Sequence, residues 1–389
     1  MDLSTVATFS NDLLIYSSGS IPINTKELNL KQTLLGGQSF RWIEQNLNEF
    51  IGVLGSYIVR LQHQNDNLRY TFFTNNEDLI KYSNNNDRRV ETALILHNYF
   101  QLTIKLSELF EKWCKSDVRF EKGQIPIGIR VLAQEPLENL ISFICSSNNN
   151  VQRITKMIQA LCNEYGKKIG TLNGIDYYQF PTLDELDKTD LEKRLRELSF
   201  GYRARYIQEA VKFMKYTVDG MCFFDQLRAL SVEQARSQLL KIMGVGRKVA
   251  DCILLMSLGK HDVVPVDTHI HSIAMTYYGQ QLTTDNYDDI SSFFEQLWQP
   301  LSGWAQAAAF SNELRLPTSP RNSIVLSLKR SISNTEIVTE KLFKTLDENN
   351  ECQSIKITRK RSQTRQKKLL SIQQLSTRPK RNIKPIERY

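Results

Sequence analysis

The hydrophobic periodicity of this 389-residue chain changes once, between about residues 73 and 88, and that change limits the folds open to it. From about Gly37 to Phe73, the segments SFRWIEQ, EFIGVLGSYIVRLQ and LRYTFF are rich in β-branched and aromatic residues. Asn, Asp and Gly separate these segments, which predicts antiparallel strands with one buried face. From about Arg88, apolar residues recur at threes and fours, which predicts helices. The sequence therefore predicts an α+β protein, with an N-terminal antiparallel twisted sheet followed by a mostly helical body.

We divide the chain into a sheet domain with flanking helices (residues 1–125), a helical body (126–320) and a basic, disordered tail (321–389). The tail holds 17 Lys and Arg against 6 Asp and Glu, whereas the rest of the chain holds 33 against 36. Any nucleic-acid binding by the folded part would therefore have to come from local groups rather than from bulk charge. The clusters TRKRSQTRQKK (358–368) and RPKRNIKP (378–385) are typical of nuclear-import signals or of a nonspecific DNA arm, and a solvated tail without a role is the alternative.

Composition also excludes several classes of protein. No apolar run reaches the roughly 18 residues that a membrane span requires. The first Lys or Arg is Lys26, so the basic region of a secretory signal and an Arg-rich presequence are both missing. The six cysteines are scattered and form no C-x-x-C pair, which argues against a disulfide framework and against zinc. We expect reduced thiols, no membrane contact and a soluble intracellular location.

The most informative segment is LLKIMGVGRKVADCILLMSLG, residues 239–259. It predicts two helices joined by a very short turn, Gly244-Val245-Gly246, where the glycines allow positive φ and a close approach to another molecule. The second helix begins with unpaired backbone amides and the positive end of its dipole, an arrangement that binds phosphate without a basic surface. A G-x-G turn alone also occurs in ordinary helical hairpins.

Two residues near this turn have side chains suited to catalysis. Lys248 lies at the start of the second helix beside Arg247, where the helix terminus and the neighbouring cation favour the neutral, nucleophilic amine. Asp267 follows Val-Pro-Val and precedes a helical segment, so it is placed to cap that helix. Taken singly, the two residues are more simply explained as a phosphate-contacting lysine and a plain helix cap.

Taken together, these residues are much more specific. The run L-x-x-x-GVG-x-KVADCI-x-L, followed by VPVD-x-H, resembles the helix-hairpin-helix (HhH-GPD) DNA glycosylase superfamily, and within it the eukaryotic 8-oxoguanine DNA glycosylases. Further blocks resemble that family in the same order: GGQSFRW (36–42), SFICSSNNNVQRIT (142–155), GYRARYI (201–207) and GWAQAAAFS (303–311). The resemblance covers about residues 20–316. It implies a helical body of two subdomains, with the active site in the cleft between them.

The resemblance implies a base excision repair enzyme that removes 8-oxoguanine opposite cytosine after base flipping and then nicks the strand by β-elimination. Lys248 would form a Schiff base with the sugar, and Asp267 would stabilise the positive charge that develops there. Four further residues would form the pocket for the damaged base: Gly37, whose carbonyl accepts the N–H that guanine lacks; Gln306, which reads the Watson–Crick edge; and Phe310 and Cys252, which sandwich the base.

Other residues would contact DNA by the same resemblance. Asn148, Arg153 and Arg203 would fill the gap left by the flipped base and read the opposite cytosine, and Tyr202 would wedge beside it. His269 would contact phosphate, as would the hairpin turn at Gly244 and Gly246. For lesion reading, Gly36 competes with Gly37. Phe310 and Cys252, taken alone, are explained equally well as core residues.

Two alternatives remain open: a monofunctional glycosylase for another damaged base, which uses water, and a non-catalytic helix-hairpin-helix module. Lys248 argues against the first, and the matching positions of Gln306 and Phe310 argue against the second. The iron–sulfur pattern C-x₆-C-x₂-C-x₅-C is absent, and His269 and His271 lack further metal ligands, so we expect neither a cofactor nor a metal. We expect a monomer that acts on damaged double-stranded DNA in the nucleus, with a minor mitochondrial pool left open.

Overall fold

The computed structural model describes residues 13–75, 84–282 and 284–313. The strands are β1 (Leu13–Pro22), β2 (Ile43–Asn46), β3 (Glu49–Leu54), β4 (Tyr57–Gln64), β5 (Asn67–Asn75), β6 (Lys168–Leu172) and β7 (Ile175–Tyr178). The helices are α1 (Leu30–Leu35), α2 (Asn85–Tyr99), α3 (Leu106–Ser116), α4 (Val118–Glu121), α5 (Pro136–Ile144), α6 (Val151–Tyr165), α7 (Leu183–Leu186), α8 (Leu191–Glu197), α9 (Arg203–Lys212), α10 (Cys222–Ala229), α11 (Val232–Leu239), α12 (Arg247–Ser257), α13 (Thr268–Tyr278), α14 (Tyr287–Leu297) and α15 (Ser302–Glu313). A π-helical turn, Phe213–Thr217, continues α9.

The first five strands form one antiparallel sheet in the order β1-β5-β4-β3-β2. Its side chains alternate between two faces, as the period of a strand requires. Val59 and Leu61 pack with α1 and α2 on one face, whereas their neighbour Ile58 packs on the other face with Ile169 and Leu172 of β6. The predicted sheet is confirmed, but the expectation of a single buried face is wrong, because a hairpin far along the chain covers the second one.

That hairpin, β6–β7, and the edge strand β1 lie outside the segments in which the sequence analysis placed strands. β1 pairs with β5 along the sheet edge and is irregular between Ile15 and Ser17. The hairpin turns at Asn173 and Gly174, whose φ angles of 53° and 76° are both left-handed. Asn-Gly between two apolar runs is among the strongest hairpin signals. The sequence therefore carried the information for β6–β7.

The helical body packs around one continuous apolar core. Trp298 and Trp304 are fully buried, and Trp298 stacks on Phe294 with ring centroids 4.1 Å apart. Asp117 lies among these aromatic residues and accepts hydrogen bonds from Tyr278 Oη and Trp298 Nε1, each at 2.7 Å. Because its partners satisfy this buried carboxylate, a polar group is tolerated inside the core.

Buried polar side chains join the sheet to the helical body through the segment 128–134. Gln38, only 5% exposed, donates from Nε2 to the carbonyls of Thr33 (3.1 Å) and Arg130 (2.8 Å). Its Oε1 accepts from the Leu132 amide at 2.9 Å. One carboxamide therefore fixes the loop between α1 and β2 against a segment from the other part of the fold.

Glu27 acts as a remote cap for α3. Lys105, at the N-cap position, makes no side-chain hydrogen bond to the helix. The Glu27 carboxylate instead accepts from the amides of Leu106 (2.8 Å) and Ser107 (3.0 Å) and lies 3.2 Å from Arg130 Nη1. Burial acts to raise the pKa of Glu27, but hydrogen bonds from Ser107 and Leu106 and the charge of Arg130 outweigh it and hold the pKa below its usual value. A helix terminus and a buried guanidinium both depend on this carboxylate.

The predicted boundary between the sheet domain and the helical body, at residues 125 and 126, lies in the loop between α4 and α5. The basic tail, 321–389, lies outside the described residues. Within the ranges that the structure describes, no helix combines the length and the apolar character needed to cross a bilayer.

We predict that Glu27→Gln lowers the free energy of unfolding at neutral pH by about 1–3 kcal/mol, because an amide accepts more weakly and leaves Arg130 without its counter-charge. Because the pKa of Glu27 is lower in the folded protein than in the unfolded chain, its carboxylate stabilises the fold fully at a pH above the unfolded-state pKa. That stabilisation is lost as the pH falls through the folded-state pKa. Thermal unfolding of wild type and of Glu27→Gln, followed from neutral to acid pH, measures this loss of stability. The difference in stability between the two proteins should disappear at acid pH.

Glu164→Gln is the matched control, since Glu164 forms an ion pair with Arg194 at the surface. Exposed ion pairs contribute little to stability, so the control should unfold close to the wild type. A Glu27→Gln effect that is independent of pH, or no larger than that of the control, would contradict the capping role.

Candidate active site

The predicted hairpin is present, with α11 and α12 joined through residues 240–246. Gly244 has φ +87°, and a Cβ there would lie 2.7 Å from the Tyr206 Cβ, so conformation and space both require glycine. Gly246 is the N-cap of α12 and has no side chain to accept from the helix. The amides of the first turn of α12 therefore keep open donors, as a phosphate site at a helix terminus needs.

Lys248 is the second residue of α12, and its ammonium is held on one side of the helix. Its Nζ lies 3.3 Å from Ser146 Oγ and 4.6 Å from the centroid of the Phe143 ring. Ser146 Oγ also donates to the Phe143 carbonyl at 2.7 Å, which fixes the hydroxyl as an acceptor for the lysine. A serine and an aromatic face thus orient the amine that the sequence singled out as a nucleophile.

Arg247 behaves differently from the free cation that the sequence analysis assumed. Its Nη2 lies 2.5 Å from Asp288 Oδ1, and its Nε lies 3.6 Å from Asp251 Oδ2. The guanidinium also lies 5.5 Å from the centroid of the Tyr287 ring. Arg247 is therefore engaged in ion pairs with Asp288 and Asp251 and is not the free cation expected beside Lys248.

Asp267 caps α13 as predicted. Its Oδ1 accepts from the amides of His269 (3.0 Å) and Ile270 (2.9 Å). The carboxylate is partly buried and faces the same space as Lys248. Capping holds the carboxylate in one orientation.

Tyr287 links the helix that carries Lys248 to the segment that carries Asp267. Its Oη donates to Asp251 Oδ2 at 2.7 Å and accepts from the Val266 amide at 3.1 Å. Asp251, fully buried, lies three residues after Lys248, and Val266 immediately precedes Asp267. Sequence reasoning missed this bridge because its members belong to separate elements, although an acid inside the apolar run of α12 was a signal.

Six of the predicted residues line one cavity of about 470 Å³: Gly37, Lys248, Cys252, Asp267, Gln306 and Phe310. Lys248 and Cys252 are four residues apart and therefore lie on one face of α12. Gln306 and Phe310 have the same spacing and lie on one face of α15. The remaining wall is backbone from the loop between α1 and β2. In that loop Gly37 has φ +80°, whereas Gly36 closes α1 with φ −76°.

The walls of this cavity carry little charge. Cys252 is 2% exposed, and burial raises the pKa of its thiol to about 11 against the opposing effect of Lys248. The Phe310 ring is partly buried and meets His269 edge to face, with ring centroids 5.5 Å apart. A neutral thiol and an aromatic ring suit a flat, uncharged ligand between them.

An open cleft of about 1,810 Å³ adjoins the cavity. Gly37, Lys248, Asp267 and Phe310 line both spaces, and the cleft also reaches His269 and other residues. Lys248 and Asp267 therefore lie where the cavity meets an open cleft wide enough for a polymer.

The predicted opposite-base residues gather mainly at one loop of the cleft. Asn148 is exposed, with φ +46°. Arg203 is buried and donates to the carbonyls of Ser147 and Asn148, and its guanidinium lies 4.5 Å from the centroid of the Tyr202 ring. Tyr202 is 45% exposed and donates to the Ser147 carbonyl at 3.0 Å. The exposed Arg153 lies apart from this cluster, with Nη2 3.4 Å from the Ser199 carbonyl.

The family models match this architecture part by part. The 8-oxoguanine DNA glycosylase N-terminal domain matches residues 20–140, and the HhH-GPD superfamily base excision DNA repair protein matches residues 141–300. An N-glycosylase/DNA lyase of Saccharomyces cerevisiae is 36% identical over 336 residues, which cover 77% of this chain and 87% of the yeast protein. The chain belongs to the 8-oxoguanine DNA glycosylase family. The N-glycosylase/DNA lyase of Arabidopsis thaliana is 35% identical over 298 residues, 74% of this chain and 78% of that protein.

Solved structures of the family agree. An 8-oxoguanine glycosylase/lyase of Clostridium acetobutylicum, crystallised with double-stranded DNA containing cytosine opposite 8-oxoguanine, superposes with a TM-score of 0.64. It is 28% identical, and the match covers 79% of this chain and 96% of that one. The predicted α+β fold and the predicted family of this glycosylase are both confirmed. Among the described residues, no three His, Cys, Asp or Glu side chains form a group that could hold a metal ion.

We predict that iodoacetamide at neutral pH modifies the exposed Cys222 well before Cys252, because only the thiolate reacts and burial disfavours it at Cys252. As the pH rises toward about 11, alkylation of Cys252 should accelerate about tenfold per pH unit, following its thiolate fraction. Peptide mapping by mass spectrometry reads both sites in one sample. Equal rates at the two cysteines at neutral pH would refute a neutral Cys252 thiol.

Proposed function

We propose that this glycosylase excises 8-oxoguanine from duplex DNA and then nicks the strand through a Schiff base at Lys248. The observation that carries the proposal is the position of Lys248 and Asp267 where a cavity opens into a wide cleft. A flipped base would occupy the cavity, while its sugar stays at the mouth beside the amine. The relatives named N-glycosylase/DNA lyase support both activities.

Recognition of the lesion would depend on one backbone carbonyl. 8-Oxoguanine carries an N–H at position seven, where guanine has a lone pair, so a carbonyl there binds the lesion and repels guanine. Gly37 is favoured for this role because it lines both the cavity and the cleft, whereas Gly36 lines only the cavity and closes α1. Gln306 would read the Watson–Crick edge, and Phe310 and Cys252 would hold the base between them.

The chemistry begins with the Lys248 amine attacking the anomeric carbon as the bond to the base breaks, so the departing base takes the electron pair. Loss of an amine proton and opening of the sugar ring then give an iminium between Lys248 Nζ and that carbon. The iminium acidifies the adjacent sugar proton, and its removal expels the 3′ phosphate by β-elimination. Asp267 would stabilise the positive charge that develops on the sugar, and its two capping bonds keep it in place without reorganisation.

The DNA contacts are proposed for two regions. The open amides at Gly246 and the turn at Gly244 would bind a phosphate of the damaged strand, as would His269 at the start of α13. Around the estranged cytosine, Asn148 and Tyr202 would enter the duplex, because both are exposed and Tyr202 contacts Ser147, which lines the cleft with Asn148.

Arg203 would read cytosine only after exchanging its bonds to the loop carbonyls for bonds to the base. Arg153 would join it from the neighbouring helix. The duplex-DNA complex of the Clostridium relative supports binding of damaged double-stranded DNA by this chain. A monomeric enzyme, nuclear residence and independence of any cofactor stay predictions.

We predict that borohydride traps a covalent adduct between the wild-type protein and a duplex with one 8-oxoguanine opposite cytosine, and that Lys248→Gln forms none. The reason is that only a primary amine gives a reducible iminium. Gel electrophoresis of the denatured product measures the adduct. The same duplex with adenine opposite the lesion should give less of it, and undamaged DNA none.

The other outcomes separate the alternatives. Base release without an adduct would indicate a glycosylase that uses water and would reduce Lys248 to a phosphate contact. Tight binding with neither release nor adduct would leave a DNA-binding module.

A second prediction concerns the bridge between the catalytic groups. Tyr287→Phe removes the hydroxyl that connects Asp251 to the Val266 amide, so Asp267 and Lys248 lose their fixed relation. We expect base excision under single-turnover conditions to slow by about tenfold or more, because small misplacements of catalytic groups are costly. Binding of the same duplex should weaken much less.

Tyr278→Phe is the matched control, since Tyr278 Oη donates to a buried carboxylate, Asp117, away from the cavity. Both variants should lose similar thermal stability, but only Tyr287→Phe should lose rate. Equal losses of rate would mean that the bridge has a structural role only.

A further inference from the structure

One polar group of the base cavity has no partner. Ser311, on α15, is 2% exposed, and its Oγ makes no hydrogen bond within the described part of the chain. The residue lines the same cavity as Gln306 and Gly37. A buried hydroxyl without a partner is costly and uncommon, and at the wall of a pocket it points to a ligand that completes it.

The position of Ser311 relative to the proposed base readers is specific. It follows Gln306 by five residues on α15, so the two side chains reach the cavity from the same helix. Its Oγ lies 3.6 Å from the point where a Cβ on Gly36 would be, which places the hydroxyl against the backbone of the α1–β2 loop. Ser311 therefore shares its helix with the amide that would read the Watson–Crick edge, and its hydroxyl lies beside Gly36, the residue before the glycine that would read position seven.

On a guanine ring, the carbonyl O6 lies between N1, on the Watson–Crick edge, and N7. A base held by Gln306 on one side and by the Gly37 carbonyl on the other presents O6 to the space between them. We propose that Ser311 Oγ donates a hydrogen bond to O6 of the excised base, and that Ser311 is a specificity-determining residue of this pocket. The inference rests on the proposed function, because it takes 8-oxoguanine as the occupant.

The bond would matter most once the base has entered the cavity. O6 loses its partner when the base leaves the duplex, and a carbonyl buried without a donor resists entry. The Ser311 hydroxyl would replace the lost hydrogen-bond donor without adding a charge to this part of the cavity. The Gly37 carbonyl cannot supply that donor, because a carbonyl only accepts hydrogen bonds.

The test combines one substitution with one change in the base. Single-turnover excision is measured for wild type and Ser311→Ala, on 8-oxoguanine and on its 6-thio analogue, each opposite cytosine. The thiocarbonyl keeps N1–H and N7–H but accepts hydrogen bonds weakly. We expect Ser311→Ala to slow excision of 8-oxoguanine by about tenfold, the size of one hydrogen bond. The 6-thio analogue should slow wild type by a similar factor and Ser311→Ala hardly at all.

Ser302→Ala is the matched control. Ser302 lies on the same helix and is buried, but its Oγ donates to the Glu295 carbonyl at 2.7 Å. That variant should keep the wild-type response to the 6-thio base and lose thermal stability, whereas Ser311→Ala should unfold close to the wild type, since its hydroxyl has no partner to lose.

Two results would overturn the inference. If the effects of Ser311→Ala and of the 6-thio base simply multiply, Ser311 does not contact O6, and the proposed function stands on its own. If wild type leaves 8-oxoguanine intact, the proposed function fails, and this inference fails with it.

Discussion

The cavity is assembled from parts of the chain that are far apart in sequence, and the buried carboxamide of Gln38 holds them together. The Gln38 side chain donates to the carbonyls of Thr33 and Arg130 and accepts from the Leu132 backbone amide. The backbone carbonyl of Gln38 accepts from Gln134 Nε2 at 2.7 Å. The Gln134 amide in turn donates to the Met256 carbonyl on α12 at 2.8 Å. A continuous chain of hydrogen bonds therefore runs from the loop of Gly37 to the helix of Lys248. In a low-dielectric interior such a chain is rigid, because each broken bond leaves a buried polar group. Gly37 has no side chain that could hold its carbonyl in place, so the hydrogen bonds of the neighbouring Gln38 hold this part of the loop.

α12 is the common reference for the other walls as well. Through Asp251 it holds Tyr287, which holds the Val266 amide and with it the start of α13. α15 approaches α12 at Gly303, where a Cβ would lie 2.5 Å from Leu255 Cδ1. The lysine, the carboxylate and the two pocket walls are thus positioned against one buried helix rather than against one another. Flexible loops seldom hold catalytic groups to the tolerance that covalent chemistry needs, and a shared rigid helix meets that requirement.

Whether a feature of the site could be predicted from the sequence depends on how far apart along the chain the interacting residues lie. The hairpin and the cap at Asp267 depend on local spacing, so the sequence analysis located them correctly. Gln306 and Gly37, which the resemblance assigned to the pocket for the damaged base, line the same cavity, and their roles are proposals. The partners of Arg247 and Tyr287, and the position of Ser311 against Gly36, were missed because each depends on elements distant in sequence. The hairpin at Asn173 and Gly174 was missed despite its local signal.

The distribution of charge explains why the cavity and its mouth have different tasks. Inside are a thiol kept neutral by burial, a carboxamide, a hydroxyl, a backbone carbonyl and an aromatic ring. Such groups select by complementarity of hydrogen bonds, since one mismatched buried group costs about 1–3 kcal/mol. At the mouth are Lys248 and Asp267, the ionisable groups that we propose act on the sugar, where positive charge develops. A charge deeper in the cavity would bind a neutral purine no better and would blur the distinction between guanine and its oxidised form. Changes inside should therefore alter which base is accepted, and changes at the mouth should alter how fast it leaves.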